Sequence, residues 1–493
     1  MHRTLSKKLK SLVVLGLAGT ALSGCATMPG SSVPAGSPIT QAEAQQGAQY
    51  HPQFVSEFGG KVEGPQATYV ESVGQKIAVQ SGLANSSSAF EVTLLNSSVN
   101  NAFAVPGGYV YVTRQLVGLM NNEAELAGVL GHEVGHVAAR HSARRQQAAQ
   151  QNQLLGVLGQ VLSSVVLGDS ALGRLGQEIS STVPQLATLK YSRGQELQAD
   201  ELGVEYLASA GYDPHAMATV LESLAAQNAL DASLKGQEST MPEWASTHPD
   251  PASRVSTALQ LAGNMTGATN RNQFLNHIDG LMYGDDPKQG VIEGRTFIHP
   301  VLRFEFTAPQ GFYMVNGTTA VSISGDSGQG QLSTAQFNGN LETYIRNVFS
   351  AIGGDQTQLA PQTLQRTTVN GLPAAYGMAR ANSGQQNVDV TVFAYDFGNG
   401  KAFHFATITP AGRSSVFQSM FQSMHRIGAQ EAGSVTPRRI DVFTAQRGDT
   451  VQTISSRMAF DNAREQRFRV LNGLSANDQL MPGQQYKLVV RQN

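Results

Sequence analysis

Apolar side chains at Leu126, Val129, Leu130, Val134 and Val137 recur every three to four positions, which is the spacing of one helical face. Asn122, with Glu125 three places on, supplies an N-cap oxygen and a carboxylate at the positive end of the helix dipole, so a buried helix is predicted to start there. A second start stands at Ser192, where Gln195 completes a capping box. That helix is expected to stop at Gly211, which can take the left-handed conformation, and Asp213-Pro214 then caps and opens another. Upstream, Phe103 to Val105 and Tyr109 to Val112 are short β-prone runs joined by Pro106-Gly107-Gly108, a turn with the φ freedom a hairpin requires. After about position 295 the chain turns to β-prone runs, as in Leu302-Arg-Phe-Glu-Phe-Thr307. Val388 to Thr407 predicts a hairpin around Phe397-Gly-Asn-Gly-Lys401, followed by a helix near Ser415 to His425. Leu154 to Gly168 is nearly all apolar but too short to span a bilayer; a core helix is expected there, with a lid or membrane-dipping segment as the alternative. The patterns predict a multidomain chain, mainly α first and α+β later.

At 493 residues, with 41% hydrophobic and 14% charged residues and 51 Gly, ordered globular domains joined by loops are expected. The N-terminus carries Arg3, Lys7, Lys8 and Lys10 before a short apolar run ending in Leu22-Ser23-Gly24-Cys25, which has the form of a secretory signal. Removing those four basic residues leaves 30 Lys and Arg against 36 Asp and Glu, a net of −6. A mildly acidic chain argues against nucleic acid as a general partner. Cys25 is the only cysteine, so no intrachain disulfide can form.

Chemistry concentrates in His132-Glu133-Val134-Gly135-His136. Two His four positions apart on a helix point from one face and can hold one Zn²⁺, and Glu133 then lies where it can take a proton from a water at the metal. A catalytic zinc ordinarily takes three protein ligands. One zinc-protease class takes its third from His-x-x-Gly-x-x-His, but Ala139 and Ser142 stand at those places, which excludes it. His141 falls one position early and is expected to be a solvated or capping residue. The best third ligand is Glu196, just inside the helix that Ser192 opens. Glu196, Asp200 and Gly203 share one face, where Gly203 allows close approach of another helix and Asp200 suits the outer ring nitrogen of a ligand His. Glu201 and Glu205 point elsewhere and are expected to be solvated.

With these motifs, the chain resembles the gluzincin peptidases, and within them the HtpX, CAAX prenyl endopeptidase and BepA-like (β-barrel assembly-enhancing protease) group. Asn101-Ala-Phe-Ala-Val-Pro106 resembles that group's hairpin ahead of the active-site helix. Thr247-His248-Pro249 with Arg254 resembles its downstream His-Pro-x-x-x-x-Arg element. The resemblance covers roughly residues 45 to 290 and implies a mainly α zincin-type fold with a small edge-strand hairpin. It implies one Zn²⁺ per chain held by His132, His136 and Glu196, with Glu133 as general base and His248 and Arg254 as further catalytic residues. It also favours Asn101, Ala102, Phe103 and Ala104 as a strand that binds substrate main chain, over an ordinary edge hairpin. The integral-membrane members carry long transmembrane helices, and the protease region here has none. His248 precedes a proline that holds it extended. It is expected to be an oxyanion donor, a latch on the open zinc position, or a structural His beside Arg254.

Leu-Ser-Gly-Cys resembles a bacterial lipobox, implying cleavage after residue 24 and lipidation of Cys25. Ala26 after the Cys implies retention in the outer membrane of a Gram-negative cell, facing the periplasm. Residues 25 to 44, rich in Gly, Ser, Pro and Ala, then read as a flexible tether. Residues 295 to 427 form an α+β domain without a recognisable catalytic set, where His404 and His425 are expected to be structural. Residues 438 to 493 resemble a LysM module, through Gly448-Asp449-Thr450, Ile454, Leu471-Asn472-Gly473-Leu474 and Pro482-Gly483-Gln484. That likeness implies a β-α-α-β order and contact with peptidoglycan, with contact to proteins, or only packing against the protease, as the alternatives. The expected function is a membrane-tethered zinc endopeptidase degrading misfolded or stalled envelope proteins, with unfolded or misassembled envelope proteins as its substrates. A peptidoglycan-associated scaffold or chaperone and a cell-wall hydrolase are the alternatives.

Overall fold

The computed structural model describes residues 36–142, 191–234, 248, 250–353, 359–383 and 386–492. Cys25, the signal at 1–24 and the apolar run Leu154 to Gly168 lie outside the described residues. The N-terminal region opens with α1 (Gln41–Glu57) and α2 (Pro65–Ala78), followed by β1 (Glu91–Leu95), β2 (Ala102–Val105) and β3 (Tyr109–Thr113). It continues with α3 (Arg114–Leu119), α4 (Glu123–Ala138), α5 (Arg193–Ser209), α6 (Ala216–Leu234), α7 (Pro251–Ala262) and α8 (Arg271–Ile278). Its sheet has the order β1-β3-β2, parallel between β1 and β3 and antiparallel between β3 and β2, which leaves β2 at an edge. Gly107 and Gly108 make the β2–β3 turn at φ 102° and 87°. A Cβ on either would fall 2.4–2.5 Å from a backbone oxygen of Glu43 or Ala89, so only glycine fits.

Every residue of α4 is buried. It starts where Asn122 accepts the Glu125 N–H, and α5 starts at a capping box between Ser192 and Gln195. The two helices cross on small residues. A Cβ at Gly135 would come 3.2–3.4 Å from Ala199, and one at Gly131 would come 3.6 Å from the Cα of Gly203. Backbones this close let short carboxylate side chains on α5 reach the His face of α4.

The expected tether does not extend to residue 44. Thr40 and Glu43 cap α1, Gly36 N–H donates to the Ala138 carbonyl, and Glu43 is ion-paired with buried Arg140. Residues 36–44 are thus bound to the C-terminal end of α4, because leaving Arg140 buried without that carboxylate would be costly.

The middle region begins at Val291, upstream of the expected 295, because β5 (Val291–Glu293) pairs with β6 (Thr296–His299). β7 (Phe304–Thr307), β8 (Tyr313–Asn316), β9 (Val321–Gly325), β10 (Gly328–Thr334), α9 (Leu341–Gly353), β11 (Thr363–Val369) and β12 (Leu372–Ser383) follow. β13 (Gln386–Asp396), β14 (Ala402–Pro410), α10 (Gln418–Ser423) and β15 (His425–Arg426) complete it. Seven strands form one sheet, in the order β11-β12-β13-β14-β10-β9-β8. Alternation along β13 sends Val390, Val392 and Ala394 to a core with α9, and Phe393 and Tyr395 to an aromatic core with β6, β7 and α10. His404 is buried in hydrogen bonds with Tyr344 and Ser333.

After α11 (Ala429–Ser434), the last region runs β16 (Arg438–Thr444), α12 (Val451–Ser455), α13 (Arg464–Leu471) and β17 (Gln485–Arg491), with β16 and β17 antiparallel. It is not a detached bead. β4 (Met282–Tyr283) joins its sheet, and Ile440, Phe468, Leu471 and Leu488 belong to the same apolar core as α4 and α6. The Lys487 ammonium is buried against the carbonyl oxygens of Gly118, Leu119 and Met120.

Candidate metal centre

His132 and His136, one turn apart on α4, bring their Nε2 atoms to 3.0 Å. Glu196, in the first turn of α5, reaches the same point, with Oε1 3.4 Å from His136 Nε2 and Oε2 3.7 Å from His132 Nε2. His248 enters from the loop before α7, its Nδ1 3.3 Å from His132 Nε2 and 3.1 Å from Glu196 Oε1. All four side chains are buried, and one donor atom from each falls within 4.8 Å of the others. Ligands about 2.0–2.1 Å from a tetrahedral zinc stand about 3.3 Å apart. The observed 3.0–3.7 Å separations and the N₃O donor set fit such an ion, with His248 at the fourth corner.

Asp200, one turn after Glu196, accepts from His132 Nδ1 at 2.9 Å. Arg254 on α7 forks onto this pair of carboxylates: Nε and Nη2 donate to Asp200 at 2.7 and 2.6 Å, and Nη1 donates to Glu196 at 2.5 Å. Arg254, expected among the catalytic residues, has its guanidinium buried against these two carboxylates. The short reach of Asp and Glu, against the long Arg stem from a neighbouring helix, produces that order.

Burial pushes the Glu196 carboxyl up, but hydrogen bonds from His136 and His248 outweigh it and hold the group well below its ordinary value. Burial also pulls the His136 imidazole far down, which leaves a nitrogen lone pair available. For His132 burial acts downward too, but the Asp200 bond and charge reverse it, and the net shift is upward. Burial raises the Glu133 carboxyl, in spite of the lowering charge of His248. Glu133 Oε1 lies 3.4 Å from His248 Nε2 without hydrogen-bond geometry, so a buried carboxylate oxygen faces the cluster unbonded.

β2 packs along α4 as the edge strand. Asn101 and Ala102 are buried, and Phe103 and Ala104 half-buried, with the Phe103 ring stacked 4.6 Å from Tyr111. His141, expected to be solvated or capping, is 1% exposed. It lies beyond the end of α4, where the chain folds back: its Nδ1 is 2.8 Å from His136 Nδ1, and its Nε2 is 3.0 Å from Gln198 Oε1. Tyr191 was not singled out from sequence. Its ring stacks on His136 at 3.8 Å and 19°. The available signal was an aromatic residue directly before the Ser192 cap, too weak without the fold. Glu201 and Glu205 are exposed.

A His-Glu-x-x-His helix joined by a glutamate from a following helix defines a gluzincin metallopeptidase domain. Residues 65–262 match peptidase family M48. The chain is similar to the β-barrel assembly-enhancing protease of Escherichia coli O157:H7, at 30% identity over 275 residues, which cover 54% of each chain. The corresponding protease of Yersinia pestis is 34% identical over 203 residues, or 40% of this chain and 39% of the other. The mitochondrial metalloendopeptidase OMA1 of Arabidopsis thaliana is 34% identical over 172 residues, or 35% of this chain and 31% of the other. The chain spans about half the length, or less, of these curated relatives. Among the described residues, no helix is long and apolar enough to cross a membrane.

Proposed function

We propose that the protein is a zinc-dependent endopeptidase of the bacterial cell envelope, tethered by lipid at Cys25 to the outer membrane and degrading misfolded or stalled envelope proteins. The observation that carries this reading is the convergence of His132, His136 and Glu196 at tetrahedral spacing, with an unbonded carboxylate oxygen of Glu133 beside them. These three side chains would hold zinc, which would supply Lewis acidity and make water easy for a base to deprotonate near neutral pH. Glu133 takes the proton of the attacking water and delivers it to the departing amine nitrogen as the C–N bond breaks. Its raised pKa suits a base that must accept and then release a proton. Asp200 and Arg254 hold His132 and Glu196 in place. The outer edge of β2, at Asn101 to Ala104, pairs with an extended substrate and binds main chain, which gives broad sequence tolerance.

His248 occupies the corner that the attacking water needs, so in this position it is a latch. Swung outward, its imidazole becomes available to the oxyanion. Residues 438–493 are assigned to contact with peptidoglycan as a LysM-like module, in keeping with their β-α-α-β order. The names of the relatives, protease and metalloendopeptidase, favour protein over cell wall as substrate. So does the absence from the sequence of the His-x-His element common in zinc peptidoglycan enzymes.

The test is incubation of the purified, zinc-loaded protein with an unfolded protein and, separately, with peptidoglycan sacculi, using Glu133→Gln as control. Cleavage of the protein alone is expected. The Glu133→Gln variant should stay folded and zinc-loaded, but react on the order of 10²- to 10⁴-fold more slowly. Cleavage of sacculi alone would make it a cell-wall hydrolase, and turnover of neither would make it a scaffold.

A further inference from the structure

Each paired His on α4 turns Nε2 toward the cluster, so its Nδ1 must be satisfied on the outside. The two outer partners differ. His132 Nδ1 meets a carboxylate, Asp200. His136 Nδ1 meets another imidazole, His141, which in turn meets the Gln198 side-chain amide. Gln198 lies on α5 between Glu196 and Asp200, so the outer partners of both His come from, or are braced by, the helix that carries the carboxylates.

Proton accounting gives this chain a direction. For His136 to offer a lone pair at Nε2, its one ring proton must sit on Nδ1, donated to His141. His141 Nδ1 must then be the acceptor, which places the His141 proton on Nε2, pointing at Gln198 Oε1. A carbonyl oxygen can only accept. The reversed chain would put a proton on His136 Nε2 and remove the lone pair from the cluster. Other contacts hold the arrangement still: Tyr191 stacks on the His136 ring, and Gln195 Nε2 donates to the His141 carbonyl at 3.4 Å.

We infer that His141, backed by Gln198, is a positioning residue that fixes the tautomer and ring orientation of His136 and thereby sets the metal affinity of the centre. The inference rests on the reading of the His132, His136 and Glu196 cluster as a metal site. Outer partners of ligand imidazoles typically contribute about ten- to a hundred-fold in metal affinity. Because the partner of His136 is a neutral ring rather than a carboxylate, the loss should fall toward the lower end of that range.

The experiment measures zinc affinity by chelator competition on the purified full chain, together with the visible absorption of the cobalt-substituted protein and the melting temperature of each metal-free protein. His141→Phe keeps the ring volume but has no acceptor; about a ten-fold loss of zinc affinity and an altered cobalt spectrum are expected. His141→Asn restores an acceptor oxygen and should recover most of the affinity, which a purely structural role for the ring would not do. Gln198→Met leaves both rings in place and should lose a few-fold in affinity; it serves also where His141→Phe does not fold. Absence of metal from the wild type would overturn the metal-site reading and this inference together. Stoichiometric metal in the wild type, with His141→Phe and Gln198→Met unchanged in affinity and spectrum, would overturn this inference alone.

Discussion

Replacing Lys487 by Met tests whether the last region is part of the protease core. The Nζ atom donates to the carbonyls of Gly118, Leu119 and Met120, at 2.9, 3.1 and 2.5 Å, so three N–H groups meet three oxygens. Burial pulls the pKa of this amine down, but a neutral amine has only two hydrogens, and the three acceptors call for the ammonium. Gly118 and Leu119 end α3, where carbonyls lack an intrahelical partner. Met keeps most of the apolar stem and removes every donor. Burial pushes the pKa of Glu125 on α4 up, against the hydrogen bonds from Asn121 N–H and Thr219 Oγ1 and the Lys487 charge, and Met removes that opposing charge. Breaking one side of a buried charged cluster costs about 3–5 kcal/mol. At about 2–4 °C per kcal/mol for a unit of this size, the melting temperature should fall by on the order of 10 °C. Thermal melts by circular dichroism measure the loss, and amide exchange should quicken in 114–120 and 485–491 together. Adding Glu125→Gln should cost less in the Lys487→Met background than in the wild type, because the isolated carboxylate is then already a liability. A drop of under about 2 °C, with exchange unchanged at 114–120, would refute the reasoning and return the last region to an independent module.

Glu196→Ala should lose both zinc and activity, measured by metal analysis and peptide cleavage; retention of one zinc per chain would point to another carboxylate. His248→Ala should raise basal proteolysis, as removal of a latch would; lowered turnover would make it an oxyanion donor instead, and unchanged turnover with unchanged zinc content and stability would remove it from the mechanism. Cys25→Ser should accumulate unlipidated precursor that no longer partitions with membranes, and normal membrane recovery of that variant would argue for an uncleaved signal anchor. Arg254→Lys should lower zinc affinity rather than act on turnover alone, because one ammonium cannot span Asp200 and Glu196 as the guanidinium does; a loss in turnover at full zinc affinity would restore a direct catalytic role.

Elements whose causes are local were legible along the chain. The Asn122 cap, the Ser192–Gln195 capping box, the Gly107-Gly108 turn and the β13–β14 hairpin each depend on residues a few places apart, and each appears in the structure. The two-fold alternation of β13 announced a strand, but not that one face would meet a helix and the other a second sheet. His141 shows where local reasoning stopped. It falls one position early for the third-ligand place of the extended motif and was expected to be solvated or capping, but α4 ends at Ala138 and Arg140 takes φ 56°, so the chain folds back and brings the ring to His136. Spacing along the sequence therefore determined the helices, the hairpins and the pairing of His132 with His136. Tertiary structure alone decided that Arg254 meets the carboxylates of α5, that His248 joins the His132 cluster, and that Lys487 caps a helix 369 positions upstream. Those contacts join segments whose local patterns say nothing of each other, and only the burial of a shared core brings them within hydrogen-bond reach.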